Sequence, residues 1–421
     1  MRLSWLRFIS VIFLILILVS ISSADHEPPL KVAWKTRIGP PGYGSIDLIV
    51  SDIIYSNSYH LQAIDANNGK LLWSAKRSGS IAYNEGVIYA AVSSPTPNIH
   101  ALDSRTGKEI WTKEYPEFKT VDYATEHNVI MSGDTVYIIT DNPNNFGILA
   151  LDTSGTVQWY KTYGGSIFSQ TFSFSSDLMA VPSYANNNYV ITAINITSGE
   201  ILWEITGING EPRAYQDLLF IEKGRMVDKN GVYVLSVSRS TGDTIWETRV
   251  GNSNGDILAI KENKIFVLSE NIRVLDPENG EVLDEYSIPM NTFIMEFIPK
   301  AVSDQVLYII PPQPPGFGGT SSIHAFNLYT GELLWREEIK GGNLFYHNSR
   351  LYTTHMGKLY AYEHGVDTGR QLYFGIFVII LITANLFIRH ITRDTRIKNS
   401  LQFSTLLTSA AYFWFLMVYK V

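Results

Sequence analysis

One eleven-residue phrase recurs along most of the chain and constrains its fold more than any other feature. It is clearest as ALDSRTGKEIW, from Ala101 to Trp111. Further copies, one of them a residue shorter, begin at Ala63, Ala150, Ala193, Ser236, Val274 and Ala325. Each copy reads as a short alternating strand, a polar turn with a glycine that accepts positive φ, and a second strand. The repetition predicts an architecture of repeated hairpin units. Residues that recur at the same place in every copy are therefore expected to pack these units together rather than to carry out catalysis.

A tryptophan ends most copies of the phrase, and its large ring should pack at one fixed place in each unit. We predict structural docking roles, rather than binding or catalysis, for Trp34, Trp73, Trp111, Trp159, Trp203, Trp246 and Trp335. Asp284 stands at this place in the copy that begins at Val274. We expect the unit built on that copy to be the most loosely packed of the set.

The phrase resembles the tryptophan-docking motif of the pyrroloquinoline-quinone-like propeller repeats. The resemblance covers most of the chain between its apolar ends. It implies that the tryptophan of one blade docks on the motif of the next, and that eight four-stranded blades close a ring.

The number of copies agrees with eight blades. LKVAWKTRIG, from Leu30, matches the second strand of the phrase, which carries the tryptophan, but no first strand precedes it. GKLYAYEHG, from Gly357, matches the first strand, but no strand with a tryptophan follows it. The two halves complete each other, and closing the ring in this way leaves no open sheet edge within it. We therefore predict an all-β fold, an eight-bladed β-propeller of four-stranded antiparallel blades closed by the N-terminal strand.

The two ends of the chain have the character of export and membrane segments. Residues 1–24 combine a basic start, an apolar run and small residues, which predicts a signal peptide; an uncleaved anchor is the alternative. Residues 25–370 form the predicted propeller ectodomain. Residues 371–389 and 401–419 contain apolar runs of the length that spans a bilayer, which predicts a transmembrane helical hairpin. The second run contains Thr and Ser residues, so an interfacial helix is its alternative.

The segment 390–400 between the two apolar runs predicts the orientation. It holds Arg393, Arg396 and Lys398 against the single acid Asp394. Short basic loops stay on the cytoplasmic side, so the propeller should lie outside, as the signal peptide also predicts. The lipid bilayer is therefore a predicted partner. The predicted location is the cell membrane, with the propeller on its extracytoplasmic face.

The predicted ectodomain is acidic. The whole chain has a formal net charge of −7, and both end segments are net basic, so residues 25–370 are more acidic still. An acidic surface repels phosphate backbones, which disfavours nucleic acid as a partner.

The resemblance also raises the hypothesis of a quinoprotein dehydrogenase. It implies a calcium held by acidic and amide side chains, a catalytic aspartate and, usually, a disulfide of adjacent cysteines over the quinone. This chain has no cysteine, its blades are too short for the inserted segments of such a pocket, and no acid matches the catalytic position. The repeated aspartates have a sufficient role in their turns, namely Asp65, Asp103, Asp152 and Asp276. We predict no catalytic residue, no cofactor and no enzymatic activity.

The histidines do not converge in the predicted fold. His347, His355 and His364 belong to the last blade, where antiparallel strands place His355 at the opposite edge from the other two. His347 and His364 should be two strands apart, roughly 10 Å, which is too far to share a metal ion. His100 and His324 hold equivalent places in blades that are not neighbours. We predict no metal site.

Two further segments have open interpretations. Asn195 begins an Asn-Ile-Thr glycosylation sequon, but it also lies in a repeat turn. The stretch PPQPPGFGG, from Pro311 to Gly319, must leave the sheet because proline cannot donate to a ladder. It is either a recognition tip or a stiff crossover.

These features favour a protein-binding or assembly scaffold whose rigid ring presents loops to protein partners. Within the family, the pattern is similar to the propeller lipoprotein of the bacterial outer-membrane assembly machine, although the lipid-attachment cysteine of that protein is absent here. The alternatives are a PQQ-dependent dehydrogenase and a cell-surface ligand- or carbohydrate-binding module, because fold likeness alone is a weak guide to function.

Overall fold

The repeated phrase folds as the last two strands of each blade in a β-propeller. The computed structural model describes residues 30–41, 44–76, 79–92, 96–118, 128–142, 144–167, 172–175, 177–224, 231–252, 255–288, 299–311 and 321–364. The first strand, β1 (Leu30–Arg37), belongs to the last blade. A short 3₁₀ helix at Pro116–Phe118 follows the second blade.

The first four blades follow the order of the chain. Blade one contains β2 (Ser45–Val50), β3 (Ile53–Asn57), β4 (Leu61–Asp65) and β5 (Leu71–Ala75). Blade two contains β6 (Ile81–Asn84), β7 (Val87–Val92), β8 (Asn98–Asp103) and β9 (Glu109–Glu114). Blade three contains β10 (Asn128–Ser132), β11 (Thr135–Asn142), β12 (Asn145–Asp152) and β13 (Val157–Gly164). Blade four contains β14 (Ser166–Ile167), β15 (Ser173–Phe174), β16 (Leu178–Ala185), β17 (Asn188–Asn195) and β18 (Ile201–Thr206).

The other four blades complete the ring. Blade five contains β19 (Arg213–Tyr215), β20 (Leu218–Lys223), β21 (Val232–Ser238) and β22 (Thr244–Gly251). Blade six contains β23 (Asp256–Lys261), β24 (Lys264–Leu268), β25 (Asn271–Leu275) and β26 (Val282–Ser287). Blade seven contains β27 (Lys300–Val302), β28 (Val306–Ile309), β29 (Ser321–Asn327) and β30 (Leu333–Ile339). Blade eight contains β31 (Phe345–His347), β32 (Arg350–His355), β33 (Lys358–His364) and β1.

The predicted eight-bladed propeller is confirmed. Each sheet runs from an inner strand through two middle strands to an outer strand, and neighbouring strands are antiparallel. Blade four differs from the predicted four strands because its inner strand is divided into two short pieces, β14 and β15, that both pair with β16.

Blade eight closes the ring in the predicted way. Its order is β31, β32, β33 and β1, so the first strand of the propeller pairs with the last. The rings of Trp34 and Tyr352 lie 6.0 Å apart within this blade. Buried residues of blade eight, such as Leu359, pack in one cluster with Ile54 and Ile64 of blade one. Closure therefore joins the two ends of the propeller by a sheet ladder and an apolar core.

The core lies between blades rather than at a single centre. Second strands such as β7 and β28 are almost wholly buried, whereas outer strands such as β5 and β26 are mostly exposed. Each apolar cluster draws its members from two neighbouring blades; one joins Tyr55 and Trp73 of blade one to Ile88 of blade two. Burial of these flat apolar faces drives each blade onto the next.

The topology gives the propeller two different faces. One face carries the turns between first and second strands and between third and outer strands; we call it the turn face. The other carries the second-to-third connections and the connections between blades; we call it the loop face. The longest connections, 115–127, 224–231, 288–299 and 310–320, all start and end at the loop face.

Candidate functional site

Six tryptophans contact the next blade through the same hydrogen bond. The indole N–H of Trp73 donates to the carbonyl oxygen of Ser104, 2.9 Å away, in the turn between the third and outer strands of blade two. We call this turn, in each of blades one to seven, the docking turn. Equivalent bonds of 2.9 to 3.1 Å run from Trp34 to Ala66, Trp111 to Thr153, Trp159 to Ile196, Trp203 to Arg239 and Trp246 to Pro277.

In blades one to six, the glycine of the docking turn makes room for the tryptophan of the preceding blade. Gly107 has a φ of +67°, and a Cβ placed on it would lie 2.6 Å from Cδ2 of Trp73. Glycine is therefore needed twice, for the left-handed backbone and for the ring that lies on it.

A tyrosine on the second strand adds a second donor to the same carbonyl. The hydroxyl of Tyr55 donates to the carbonyl oxygen of Ser104 at 3.1 Å, beside the indole of Trp73. Tyr137 and Tyr352 make the same bond to Ile196 and Ala66, respectively. Burial raises the pKa of Tyr55 to about 12, so its hydroxyl remains a hydrogen-bond donor at neutral pH.

The strand register explains why a small residue begins the phrase. Ala63 pairs with Tyr55 on one side and with Trp73 on the other. Because the alanine between them is short, the two aromatic rings approach to 6.1 Å. Near-identical aromatic pairs, at 6.0 to 6.1 Å, are Tyr89 with Trp111, Tyr137 with Trp159, Tyr308 with Trp335 and Tyr352 with Trp34. These tyrosines lie outside the repeated phrase and are not among the residues predicted from it, although an aromatic residue recurs in the second strands.

Blade six fills the place of its missing tryptophan from two sides. Asp284 is exposed, and the docking-turn glycine that it would face, Gly331, lies against Cβ of Tyr286 instead. Tyr329, from the docking turn of blade seven, meets the ring of Phe266 edge-on at 5.3 Å. Lys261 lies over both of these rings, 5.6 to 5.9 Å from their centroids. The looser packing of blade six stays a prediction, but these aromatic contacts join blade six to blade seven where the tryptophan is missing.

Trp335 faces a junction of different construction. The third and outer strands of blade eight come from opposite ends of the propeller, so they are not consecutive in the chain. The ring of Trp335 packs 6.0 Å from Tyr308, which stacks on Tyr346 of blade eight at 5.6 Å. An aromatic stack therefore connects blades seven and eight.

Asn195 has a structural role in the docking turn of blade four. Its side-chain oxygen accepts the backbone N–H groups of Thr197 and Ser198, both at 2.9 Å. This is the turn role that the repeat predicts; glycosylation of the residue stays a prediction.

A second set of side chains joins the inner strands close to the propeller axis. Ser80 accepts the backbone N–H of Val129 at 3.1 Å, which links blades two and three. Ser173 accepts the N–H of Ala214 at 2.7 Å in the same manner between blades four and five. Inner strands have a free edge, and these side chains satisfy N–H groups along it.

Charged residues extend this set across blades five, six and seven. We call Arg213, Glu222, Asp256 and Lys300 the axial cluster. Arg213, Asp256 and Lys300 each begin an inner strand at the loop face, so the topology brings them together. Lys300 Nζ contacts Asp256 Oδ2, and Arg213 lies 3.7 Å from the other oxygen of Asp256. No sequence motif marks the cluster, because its members lie far apart in the chain.

Glu222 is the buried member of the axial cluster. Its Oε1 accepts the backbone N–H of Ile257, 2.5 Å away, which joins blade five to blade six. Burial raises the pKa of Glu222, against the opposing effects of that hydrogen bond and of Arg213. Burial also lowers the pKa of Lys300, and the Glu222 carboxyl partly offsets this effect. Burial therefore acts against the charged forms of both Glu222 and Lys300 in this cluster.

The histidines lie as predicted at opposite edges of blade eight. His347 ends β31 and pairs with Arg350, whereas His355 ends the following strand and pairs with Lys358. Nε2 of His347 is 2.7 Å from the carbonyl oxygen of Ser51, a contact that joins blade eight to blade one. Within the described ranges, no three His, Cys, Asp or Glu side chains are grouped to hold a metal ion.

The family model described as "Outer membrane protein assembly factor BamB" matches residues 57–206 and 147–305. The two matches together cover more than half of the chain. The chain belongs to this family. Its repeats are the β-propeller repeats described above, and the resemblance to PQQ-like repeats is confirmed.

Individual relatives are distant. Tetrathionate hydrolase of Acidithiobacillus ferrooxidans is 24% identical over 312 residues, which cover 69% of this chain and 56% of the hydrolase. The crystal structure of BamB from Moraxella catarrhalis has a TM-score of 0.54 and 17% identity, covering 80% of this chain and all of BamB. A europium-containing methanol dehydrogenase has a TM-score of 0.55 and 13% identity, covering 79% of this chain and 93% of the enzyme. These structural likenesses establish the fold alone.

The chain spans a little over half the length of the first curated relatives that it matches. The predicted signal peptide (1–24), the two predicted membrane helices (371–389 and 401–419) and the loop Pro311–Gly319 lie outside the described residues, except for Pro311 itself. In the part of the chain that the structure describes, no helix has the length and hydropathy needed to cross a bilayer.

Proposed function

We propose that this propeller is a non-catalytic scaffold that binds protein partners through its loop face, on the extracytoplasmic side of a membrane. The family match to an outer membrane protein assembly factor is the observation that carries this proposal. The acidic composition of the chain supports protein rather than nucleic-acid partners.

The geometry of the propeller favours the loop face as the binding surface. Turn-face segments are short and internally hydrogen-bonded; Asp103, for example, accepts the N–H groups of Arg105 and Thr106. The longest connections all start and end at the opposite face. Variable loops on a rigid frame are the usual place for recognition.

The positions of the two ends of the described chain also favour the loop face as the binding surface. Lys31 and Glu363, next to the two ends of the described chain, form an ion pair at 3.3 Å on the turn face. The described chain therefore starts and ends at the turn face, and the opposite loop face carries neither end.

A quinone-dependent oxidation is the second candidate, because a methanol dehydrogenase shares the fold. The described residues do not fit a calcium–quinone pair: no metal-ligand group is found among them, and Arg213 and Lys300 are already engaged with Asp256. Addition of pyrroloquinoline quinone and calcium should therefore give no bound chromophore. A stable quinone spectrum with dye-linked alcohol oxidation would overturn the non-catalytic assignment.

The scaffold proposal is tested by crosslinking from each face separately. The chain has no cysteine, so single-cysteine variants accept a photo-crosslinker at one place only. His60→Cys puts the probe in the second-to-third connection of blade one, on the loop face, and Asn68→Cys puts it in the docking turn of the same blade. We expect illumination of intact membranes to attach a protein partner at position 60 and none at position 68. The reverse pattern, or no partner at either position, would contradict the proposal.

A further inference from the structure

The junction between blades six and seven differs from its neighbours. Trp203 and Trp246 bind the docking turns of blades five and six, but Asp284 stands where a tryptophan would bind blade seven. Near the axis, this junction instead has a direct contact between the charged side chains of Asp256 and Lys300.

The two side chains are held in place by their strands. Asp256 begins β23 and Lys300 begins β27, so both backbones are fixed by sheet ladders to Leu268 and Ile309. Their side chains are only 26% and 23% exposed. Such fixed positions raise the effective concentration of one group at the other.

The carboxyl group of Glu222 lies next to Asp256. Its Oε1 binds the N–H of Ile257, the amide that directly follows Asp256. The charge of Glu222 acts on Lys300, and the residue itself is buried. A buried carboxyl group in this position can give and receive a proton without access of bulk water.

We propose that Lys300 and Asp256 form an intramolecular isopeptide bond, with Glu222 as the proton-transferring acid, that covalently joins blades six and seven. The bond is a modification of the propeller itself and is independent of the scaffold function.

The reaction needs no external reactant. The ammonium group of Lys300 first passes a proton to the carboxylate of Asp256 that it contacts, which gives a neutral amine and a carboxylic acid. The amine attacks Cγ of Asp256, and the new C–N bond replaces the C–O bond to the hydroxyl group. The departing hydroxyl takes a proton from Glu222 and leaves as water, while the nitrogen returns a proton to Glu222. The balance is one amine and one carboxylic acid giving one amide and one water. Arg213, 3.7 Å from the carboxyl group, stabilises the negative charge that develops on its oxygen.

The axial cluster favours this reaction over an ordinary ion pair. Burial lowers the pKa of Lys300 and raises the pKa of Glu222, which are the directions that supply an amine and an acid. Exposed ion pairs lack both conditions, because solvent keeps the lysine charged. A covalent link also suits a chain without cysteine, in which no disulfide can join the blades.

Tryptic peptide mapping of the full-length protein tests the proposal. Trypsin should fail to cleave after Lys300, since an acylated lysine is not a substrate. We expect a branched peptide in which residues 250–261 are joined to residues 274–336, with a mass one water below the sum of the two. Complete cleavage after Lys300, with residues 250–261 recovered as a linear peptide, would overturn the proposal.

Two variants and an internal control assign the roles. Glu222→Gln keeps an oxygen for the N–H of Ile257 and should lose the branched peptide while circular dichroism shows a folded propeller. Lys300→Arg should lose it while keeping the positive charge. Lys161 and Glu200 also contact each other between blades three and four, but their side chains are 33% and 71% exposed, so this pair should remain unlinked. A branch retained in Glu222→Gln would refute the role of Glu222, and a branch at Lys161 would refute the need for burial.

Discussion

Single backbone carbonyls are the points at which one blade is attached to the next. The carbonyl oxygen of Ser104 accepts both the indole N–H of Trp73 and the hydroxyl of Tyr55. Both donors come from blade one, and the acceptor belongs to blade two. Since all three groups are buried or nearly so, loss of either donor is expected to cost more than a surface hydrogen bond.

We predict that Tyr55→Phe lowers the free energy of unfolding by about 1 kcal/mol, because the ring stays and one buried hydrogen bond is lost. Urea unfolding followed by tryptophan fluorescence measures the change. Tyr184→Phe, on an exposed tyrosine, is the control and should have little effect. Equal effects of the two substitutions would contradict the shared-carbonyl arrangement.

We predict a larger loss for Gly107→Ala than for Gly133→Ala. Both glycines have positive φ, +67° and +56°, but only the new Cβ at position 107 meets the ring of Trp73. Backbone strain alone should cost about 1 kcal/mol at position 133, and the ring contact should add roughly 1–3 kcal/mol at position 107. Thermal and urea unfolding would separate the two, and identical losses would exclude the second role of glycine.

Glu222 and Glu285 should affect stability with opposite dependence on pH. The raised pKa of Glu222 makes the folded state bind a proton more tightly, so its contribution falls as pH rises from the ordinary glutamate range through the raised value. The lowered pKa of Glu285, due first to its hydrogen bond from Arg273, gives a contribution that is lost as pH falls. In the wild-type protein, Glu222 should make the free energy of unfolding fall as pH rises toward neutrality, and Glu222→Gln should reduce that fall. Glu285 should make the free energy of unfolding fall as pH becomes acidic, and Glu285→Gln should reduce that fall. Urea unfolding at several pH values measures both slopes; the same sign for both would be inconsistent with the structure.

Among the blades, blade six shows how a blade can pack against the next one without the repeated tryptophan. Phe266 meets Tyr329 of the next blade instead of a ring from its own outer strand. The aromatic contact is preserved, but the direction of attachment is reversed. The loss of one repeated residue is thus offset by a residue of the neighbouring docking turn.

We predict that Tyr329→Ala destabilises the propeller by at least about 1 kcal/mol, since the aromatic pair and the contact with Lys261 are lost together. Glu278→Ala, at the equivalent position of the docking turn in blade six, is the matched control and should be nearly neutral. Hydrogen exchange should also rise in β24 and β26. A neutral Tyr329→Ala would mean that blade six does not depend on this contact.

At the scale of the whole molecule, the closure of the ring decides where the chain ends lie. Because β1 and β33 are neighbours in blade eight, both ends of the propeller begin at the turn face. The loop face, on the opposite side of the ring, therefore carries neither end of the described chain.

The proposed orientation predicts a labelling pattern in intact cells. His60→Cys should react with a membrane-impermeant maleimide, because the propeller is expected outside. Ser400→Cys, at the end of the basic segment, should react only after permeabilisation. Protection of position 60 together with labelling of position 400 would invert the proposed topology.

The amino-acid sequence by itself determined the repeat, the number of blades and the closure by β1, because each depends on a local pattern that recurs in the chain. The turn role of Asn195 and the opposite edges of His347 and His355 followed from the same periodicity. The tertiary structure alone decided which groups meet across blades. The second donor Tyr55, the compensation by Tyr329 and the axial cluster all join residues that are distant in sequence. Their contacts depend on the register and packing of separate sheets, which no local pattern encodes.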